Sequence, residues 1–404
     1  MRMQRRYAGI GTLLAVTMLI SACTTGSSGS PSGSAAASAA AGTPIDQGAG
    51  LCRTVGDLTG TQPSPPAASG TSDAKIGVVT DVGTLDDKNF NEYSYLGAKQ
   101  GAAAVGAAEP RAIVTQNSAD YAKNIQTLVD DKFDLIVTVG FAIGAATLKA
   151  AKANPDIHFI GVDQFQAGTD PVAGAGLANY ESLVFNEAQA GYLAGIVAAS
   201  ISQSKHIAAI GGSGTIPPVV NYMRGYENGA HSVDDTVQVD LKYVSNDLSV
   251  AFNDPTTGKQ FADQFLSQND DVDVMFQVAG KTGNGILQSV EEAGIYGIGV
   301  DVDQWLSTHD QAECIVTSAE KHLTKGVQEG IIAFAGGSAR KGNVFYGADN
   351  DGVGVASYYQ FDGNVITDDI KTKVQDAFDG MASGDIDPCK PTNKCYAGKE
   401  DKGT

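Results

Sequence analysis

Basic residues are scarce in this chain of 404 residues, which has 27 Lys and Arg against 46 Asp and Glu and a formal net charge of −19. A nucleic-acid-binding protein needs a basic surface to neutralise phosphates, and a polybasic membrane-surface protein needs clustered Lys and Arg. The charge balance therefore argues against both classes, and we expect no nucleic-acid partner. At this length the chain can form two domains or lobes with ample core.

Histidine and cysteine are also few, with five residues of each type. They form no H-x-x-x-H and no C-x-x-C pair, so the usual spacing of zinc and thiol-redox sites is missing. Gly280-Lys281-Thr282 resembles the end of a phosphate-binding loop, but Met275 replaces the glycine that such a loop needs. We therefore expect no metal, no cofactor and no enzymatic activity.

The N-terminal hydrophobic run, residues 7–22, is shorter than the roughly 20 apolar residues that cross a bilayer. It follows three arginines and fits the core of a signal peptide. Its end, Ile20-Ser21-Ala22-Cys23, resembles a bacterial lipobox, in which the chain is cut before a lipid-modified cysteine. We predict a signal peptide at 1–22 and a palmitate-bearing lipid anchor on Cys23, at the extracytoplasmic face of the cell membrane. Ordinary secretion with an incidental cysteine is the alternative.

Residues 23–72 are predicted to be the lipidated cysteine and a flexible tether. They are rich in Ser, Gly, Ala and Pro, a composition that buries too little apolar surface to offset the loss of chain entropy on folding. The folded part of the protein is therefore expected to begin near residue 73.

Four further cysteines would lie in an oxidising compartment, where an even number indicates disulfide bonds. They are Cys52, Cys314, Cys389 and Cys395. Three pairings are possible. The short spacing of Cys389 and Cys395 favours a bond between those two, which leaves Cys52 to pair with Cys314.

From Lys75 onward, short apolar strand patterns alternate with helical patterns whose apolar residues recur every three or four positions. Near-continuous apolar strands between helices indicate a parallel sheet covered on both faces. Because the pattern occurs twice, we predict an α/β fold of two doubly wound parallel-sheet lobes, with a further helix at 318–335 and short strands near 343–347 and 352–356. The predicted divisions are 73–180 plus about 305–340 for the first lobe, 181–304 plus about 341–380 for the second, and 381–404 for a C-terminal tail.

Candidate binding residues follow the predicted strands, since open parallel sheets bind ligands beyond the carboxyl ends of their strands. Phe90 and Phe276, one in each predicted lobe, could enclose a flat ring between their faces. Asp81 and Asp301 supply acceptor oxygens for N–H or hydroxyl donors of a ligand. Together these four residues predict a cleft that combines aromatic rings with carboxylates.

Several motifs, in this order along the chain, resemble the basic membrane protein family, which includes purine nucleoside receptor lipoproteins of bacterial ATP-binding-cassette importers. The motifs are Asp86-Asp87-Lys88-Asn89-Phe90-Asn91, Ala279-Gly280-x-Thr282-Gly283-x-Gly285 and Gly299-Val300-Asp301-x-Asp303-Gln304. The resemblance covers about residues 75–380. It implies a type I periplasmic-binding-protein fold with a ligand cleft between the lobes. It also implies capture of a nucleoside, of the purine class, for delivery to the permease subunits of an ABC importer.

By position, the resemblance assigns stacking on the base to Phe90 and Phe276 and a contact with the base to Asp81. It assigns the ribose to Asp301 and Lys321. The remaining predicted ligand contacts are Asn89, Phe141 and Gly280. Lys281 departs from the family pattern, which often has Gly at this place.

Two other interpretations stay open. The same fold could bind a sugar or another small polar ligand, because fold alone does not decide chemistry. The chain could also be a surface interaction or adhesion lipoprotein whose cleft binds nothing. A nucleoside-cleaving enzyme is disfavoured, because the cleft positions pair no nucleophile with a base.

Overall fold

A computed structural model describes Cys52 and residues 70–166, 176–308, 313–392 and 394–404. The predicted signal peptide, Cys23 and nearly all of the predicted tether lie outside the described residues. Within the described ranges, no helix combines the length and the apolar character that crossing a membrane requires.

Strands and helices alternate along most of the chain. The strands are β1 (Ile76–Val82), β2 (Arg111–Thr115), β3 (Leu135–Val139), β4 (His158–Val162), β5 (Tyr180–Phe185), β6 (His206–Gly211), β7 (Gln238–Tyr243), β8 (Val274–Val278), β9 (Tyr296–Asp301), β10 (Ile315–Lys321), β11 (Gly342–Tyr346) and β12 (Val353–Val355). The helices are α1 (Phe90–Ala104), α2 (Tyr121–Asp130), α3 (Gly144–Ala153), α4 (Glu187–Ile201), α5 (Pro217–Val233), α6 (Leu248–Asn253), α7 (Pro255–Leu266), α8 (Gly280–Ala293), α9 (Gln304–Ser307), α10 (Leu323–Ala335) and α11 (Asp368–Ser383).

The strands form two six-stranded sheets with equivalent topology. The first has the order β11-β5-β4-β3-β1-β2 and the second β12-β10-β9-β8-β6-β7. Every pairing is parallel except that of β12 with β10. The central strands β3 and β8 are buried along their whole length, as expected for strands that helices cover on both faces. The predicted fold of two doubly wound lobes is therefore confirmed.

The strands near the lobe boundaries correct the predicted division of the chain. The first part of the predicted helix 318–335 is strand β10, which joins the second sheet rather than the first lobe. Strand β11 joins the first sheet, although 341–380 was predicted for the second lobe. Strand β5, which the sequence analysis missed, also belongs to the first sheet. The sheet that a crossing strand joins depends on which strands it pairs with, and a local periodicity does not contain that information.

The chain crosses between the lobes after β5, after β10 and after β11. Hydrogen bonds connect these crossings to one another. The Asn186 amide donates to the Tyr346 carbonyl at 2.8 Å, and the His322 amide donates to the Gly352 carbonyl at 3.0 Å. Three linked connections of this kind allow the lobes to move about one common hinge.

The structure contains two disulfide bonds, Cys52–Cys314 and Cys389–Cys395, which are the pairs that the sequence analysis favoured. The second bond lies in the segment after α11, which packs on the second lobe. Farther along this segment, the Arg224 guanidinium of α5 donates to both carboxylate oxygens of Asp401, at 2.5 and 2.6 Å. The predicted C-terminal tail is therefore attached to the second lobe by a two-point ion pair.

Helices α4 and α5 pack closely because each presents glycines to the backbone of the other. A Cβ atom at Gly195 would overlap the carbonyl oxygen of Tyr226, and one at Gly229 would overlap that of Tyr192. This contact fixes the position of α5, which carries Val219 and Tyr222 at the cavity described below.

We expect Gly229→Ala to lower the free energy of unfolding by about 1–3 kcal/mol, the usual cost of overpacking. The overlap with the Tyr192 carbonyl must outweigh the gain in helix propensity, which is roughly 1 kcal/mol for Gly to Ala. Urea unfolding measures the difference. Gly354→Ala is the control, because the nearest atom to its added Cβ lies 4.0 Å away. Equal stability of Gly229→Ala and the wild type would contradict the close-packing argument.

Candidate functional site

The carboxyl ends of strands from both sheets border one cavity between the lobes. The cavity encloses about 740 Å³, part of it open to solvent. Six of the predicted site residues line it, namely Asp81, Phe90, Phe141, Gly280, Asp301 and Lys321. The lining also includes residues that the sequence analysis did not select, among them Asp87, Asp163, Tyr222 and Phe252. This is the position at which open parallel sheets bind ligands.

Lys321, at the end of β10, forms the polar centre of the cavity. Its Nζ lies 2.6 Å from Oδ2 of Asp163 and 3.2 Å from Oδ1 of Asp301. Asp163 follows β4 of the first sheet and Asp301 ends β9 of the second, so the ion pairs join both lobes. The same ammonium lies 4.9 Å from the ring centre of Phe90, within the range of a cation–π contact.

Opposing electrostatic effects act on this cluster. Burial alone would lower the pKa of Lys321, but Asp163, Asp301 and Glu187 outweigh it and hold that pKa above its ordinary value. Burial raises the pKa of Asp163, against the opposing charge of Lys321. Burial, with a further contribution from Asp163, raises the pKa of Glu187 to about 8. Carboxyl groups thus outnumber the single ammonium, whose charge Asp163 and Asp301 already engage.

Asp163 could have been found from an internal repeat. Ile160-Gly161-Val162-Asp163 and Ile298-Gly299-Val300-Asp301 have the same sequence, and they occupy equivalent strands of the two sheets. Both aspartates adopt left-handed backbone angles, with φ of 56° and 64°. Such angles are uncommon for residues other than glycine. The two segments therefore share both their amino-acid sequence and the backbone conformation of their aspartates.

Asp81, near the end of β1, also lines the cavity and is held by three hydrogen bonds. Its carboxylate accepts hydrogen bonds from the Tyr121 hydroxyl and from the amides of Val82, at 2.7 Å, and Ala142, at 3.1 Å. Burial raises its pKa in spite of these donors. Gly140 has φ of 110°, and a Cβ there would contact the Asp81 carboxylate, so this position requires glycine.

Asp87 positions Phe90 by capping the start of α1. Its carboxylate accepts the amides of Asn89 and Asn91, each at 2.9 Å, and of Glu92 at 3.0 Å. Burial nevertheless raises the pKa of Asp87 to about 6. Asn89, a predicted ligand contact, is fully buried at this turn and is not among the residues that line the cavity.

The prediction that Phe276 stacks on a ligand is wrong. Phe276 is fully buried in the core of the second lobe, with its ring centre 6.0 Å from that of Tyr222 and 5.3 Å from that of Tyr226. The phenylalanine that the second lobe contributes to the lining is Phe252, in α6, together with Tyr222 of α5. Because β8 is apolar on both faces, its sequence pattern does not show which side chains face the cavity.

Among the described residues, no group of three or more His, Cys, Asp or Glu side chains is arranged to hold a metal ion. Asp163 and Asp301 are instead engaged by Lys321. The chemistry available is recognition, with aromatic side chains and carboxylates in the same lining.

Comparison with known proteins identifies the family. The model of the Bmp family, described as ABC transporter substrate-binding protein PnrA-like, matches residues 74–378. The chain belongs to the Bmp family. Members of this family are the extracytoplasmic substrate-binding components of ABC transporters rather than enzymes.

Relatives of this Bmp-family protein agree with the assignment. A CD4+ T-cell-stimulating antigen of Listeria monocytogenes is 28% identical over 79% of this chain and 89% of the relative. The ABC transporter nucleoside-binding protein BmpA of Lactococcus lactis is 29% identical over 59% of this chain and 68% of the relative. A solute-binding protein structure from Aeropyrum pernix K1 aligns with 78% of this chain and 92% of its own, at 24% identity and a TM-score of 0.66, and so shares the fold.

The different places of the two phenylalanines predict different effects on stability. Phe276→Ala should lower the free energy of unfolding by about 3–5 kcal/mol, because it empties a fully buried core position. Phe252→Ala should have a clearly smaller effect, because its ring is partly exposed at the cavity. Chemical unfolding of both variants measures the contrast. Equal destabilisation would show that Phe252 belongs to the core as much as Phe276 does.

Proposed function

We propose that this protein captures a purine nucleoside and delivers it to the permease subunits of an ABC importer. The observation that carries the proposal is the cavity between the lobes, which combines aromatic walls from both lobes with the Lys321–Asp163–Asp301 cluster. The ligand enters an open cleft, and the lobes then close about their linked crossings and bury it.

The aromatic residues suit a flat base. Phe90 and Phe141 line the cavity from the first lobe, and Phe252 and Tyr222 line it from the second. Aromatic faces bind planar heterocycles with little directional demand. Asp81 of β1, in the same lining, supplies acceptor oxygens for N–H donors of the base.

The charged cluster suits a ribose without a phosphate. Vicinal hydroxyls can donate to Asp163 and Asp301 and accept from Lys321. In the lining that the structure describes, Asp81, Asp87, Asp163 and Asp301 face a single cation, Lys321. A phosphate would therefore be repelled, which favours a nucleoside over a nucleotide. The name of the Lactococcus lactis relative, a nucleoside-binding protein, supports the same ligand class.

The proposal includes a lipid anchor on Cys23, after removal of the signal peptide at 1–22. It is supported by the lipobox-like end of the hydrophobic run and by the family's place outside the cytoplasm. Acyl chains contribute ~0.8 kcal/mol per buried methylene, so two or three would keep the protein at the membrane. The segment between Cys23 and the first strand would then let the lobes reach the permease.

A ligand panel tests the function directly. We expect guanosine or inosine to raise the melting temperature of the protein, because a ligand that binds only the native state stabilises it by mass action. Guanosine monophosphate, ribose and free hexoses should give little or no shift. A shift with sugars alone would favour a sugar-binding protein of the same fold. No shift with any of these compounds would favour the interaction or adhesion interpretation.

Asp301→Ala should weaken the binding of guanosine or inosine by about 1–3 kcal/mol, or about 5- to 150-fold, because hydroxyl donors lose their acceptor. Isothermal titration calorimetry measures the change. Asp376→Ala, on the exposed face of α11, is the matched control and should bind as the wild type does. An unchanged dissociation constant for Asp301→Ala would remove Asp301 from the site.

A further inference from the structure

A second set of contacts joins the lobes beside the cavity, through donors that are not among its lining residues. The 84–88 loop, between β1 and α1 of the first lobe, meets α8 and α9 of the second. Lys281 Nζ donates to the Thr84 hydroxyl at 3.1 Å. Asn284 Nδ2 donates to the Asp87 carbonyl at 3.0 Å, and the Ser307 hydroxyl donates to the Lys88 carbonyl at 2.7 Å.

The acceptors of the 84–88 loop are fixed by bonds within the first lobe. The Asp87 carboxylate accepts three amides at the start of α1, as described above. Lys88 adopts a left-handed backbone with φ of 61°, and its amide donates to Glu92 at 3.0 Å. The Asp87 and Lys88 carbonyls are therefore already in place when the second lobe approaches. Acceptors that need no ordering lower the entropic cost of each new hydrogen bond.

The donors are also separate from the ligand site. Lys281, Asn284 and Ser307 are not among the residues that line the cavity, although Lys281 follows the lining residue Gly280. Lys281 Nζ lies 3.8 Å from the exposed Asp86 carboxylate, which adds an ion pair across the lobes. The hydrogen bond from Thr84 and the charge of Lys281 hold the pKa of Asp86 below its ordinary value.

We propose that Lys281, Asn284 and Ser307 form a latch with the 84–88 loop, which holds the lobes closed and sets the rate at which ligand leaves. The proposal rests on capture by lobe closure. Contacts that exist only in the closed state raise its population without touching the ligand. Their loss should therefore speed ligand release and shift the ligand-free protein toward the open form.

The test compares Lys281→Met and Ser307→Ala with the wild type. Stopped-flow dissociation of guanosine should be roughly three- to tenfold faster in each variant, the effect of losing one net hydrogen bond. Small-angle X-ray scattering of the ligand-free variants should give a larger radius of gyration. Lys259→Met is the matched control, because the ion pairs of Lys259 with Asp263 and Glu292 stay within the second lobe.

A double-mutant cycle separates a latch from a local effect of Lys281. Thr84→Val, on the opposite lobe, should also speed release, and the double variant Thr84→Val with Lys281→Met should be no faster than the faster single variant. Additive effects in this cycle would overturn the latch, as would wild-type release rates and wild-type scattering in Lys281→Met and Ser307→Ala. If no nucleoside binds, the proposed function fails, and the scattering of the ligand-free variants still decides whether the latch exists.

Discussion

The ion pairs of Lys321 are the interaction on which the rest of the site depends. One ammonium, almost fully withdrawn from water, contacts carboxylates from both lobes. Removing one partner of such a buried pair strands the other charge, which typically costs 3–5 kcal/mol. The cluster therefore brings strand ends of both lobes together at the cavity and engages the charge of Lys321 there. This arrangement is compatible with the neutral, hydroxyl-bearing ligand class proposed above.

The packing of the second lobe brings the cluster and the aromatic wall together. Close contact between α4 and α5 places Tyr222, whose hydroxyl donates to the Ala319 carbonyl of β10 at 3.3 Å. Ala319 lies two residues before Lys321 on the same strand. Phe276 packs beneath Tyr222 in the core, so its contribution to the cavity is indirect. A substitution in this core would reach the ligand site through Tyr222 and β10.

Three sets of interactions connect the two lobes, and each has a different physical role. The three chain crossings are covalent connections that allow one lobe to rotate relative to the other. The Lys321 cluster is buried and polar, and a ligand bound there would share its hydrogen bonds. The 84–88 loop receives its contacts from side chains that do not line the cavity, although Asp87 of the loop does line it. In the proposed latch, these donors change the rate of ligand release without themselves contacting the ligand.

The amino-acid sequence by itself determined the repeated α/β pattern, the two lobes and three cavity residues near the strand ends, Asp81, Phe90 and Asp301. These features depend on local periodicity and on the rule that parallel sheets bind ligands at their carboxyl ends, and both can be read along the chain. Lys321 followed only from the resemblance of the sequence motifs to the Bmp family.

Only the tertiary structure decided that Phe252 rather than Phe276 lines the cavity and that Asp163 and Asp301 both contact Lys321. It also decided that β10 belongs to the second lobe and β11 to the first, the reverse of the predicted division. A strand buried on both faces carries no pattern that distinguishes its two sides. Pairings between residues more than a hundred positions apart are set by the packing of the whole sheet, which no local stretch of sequence records.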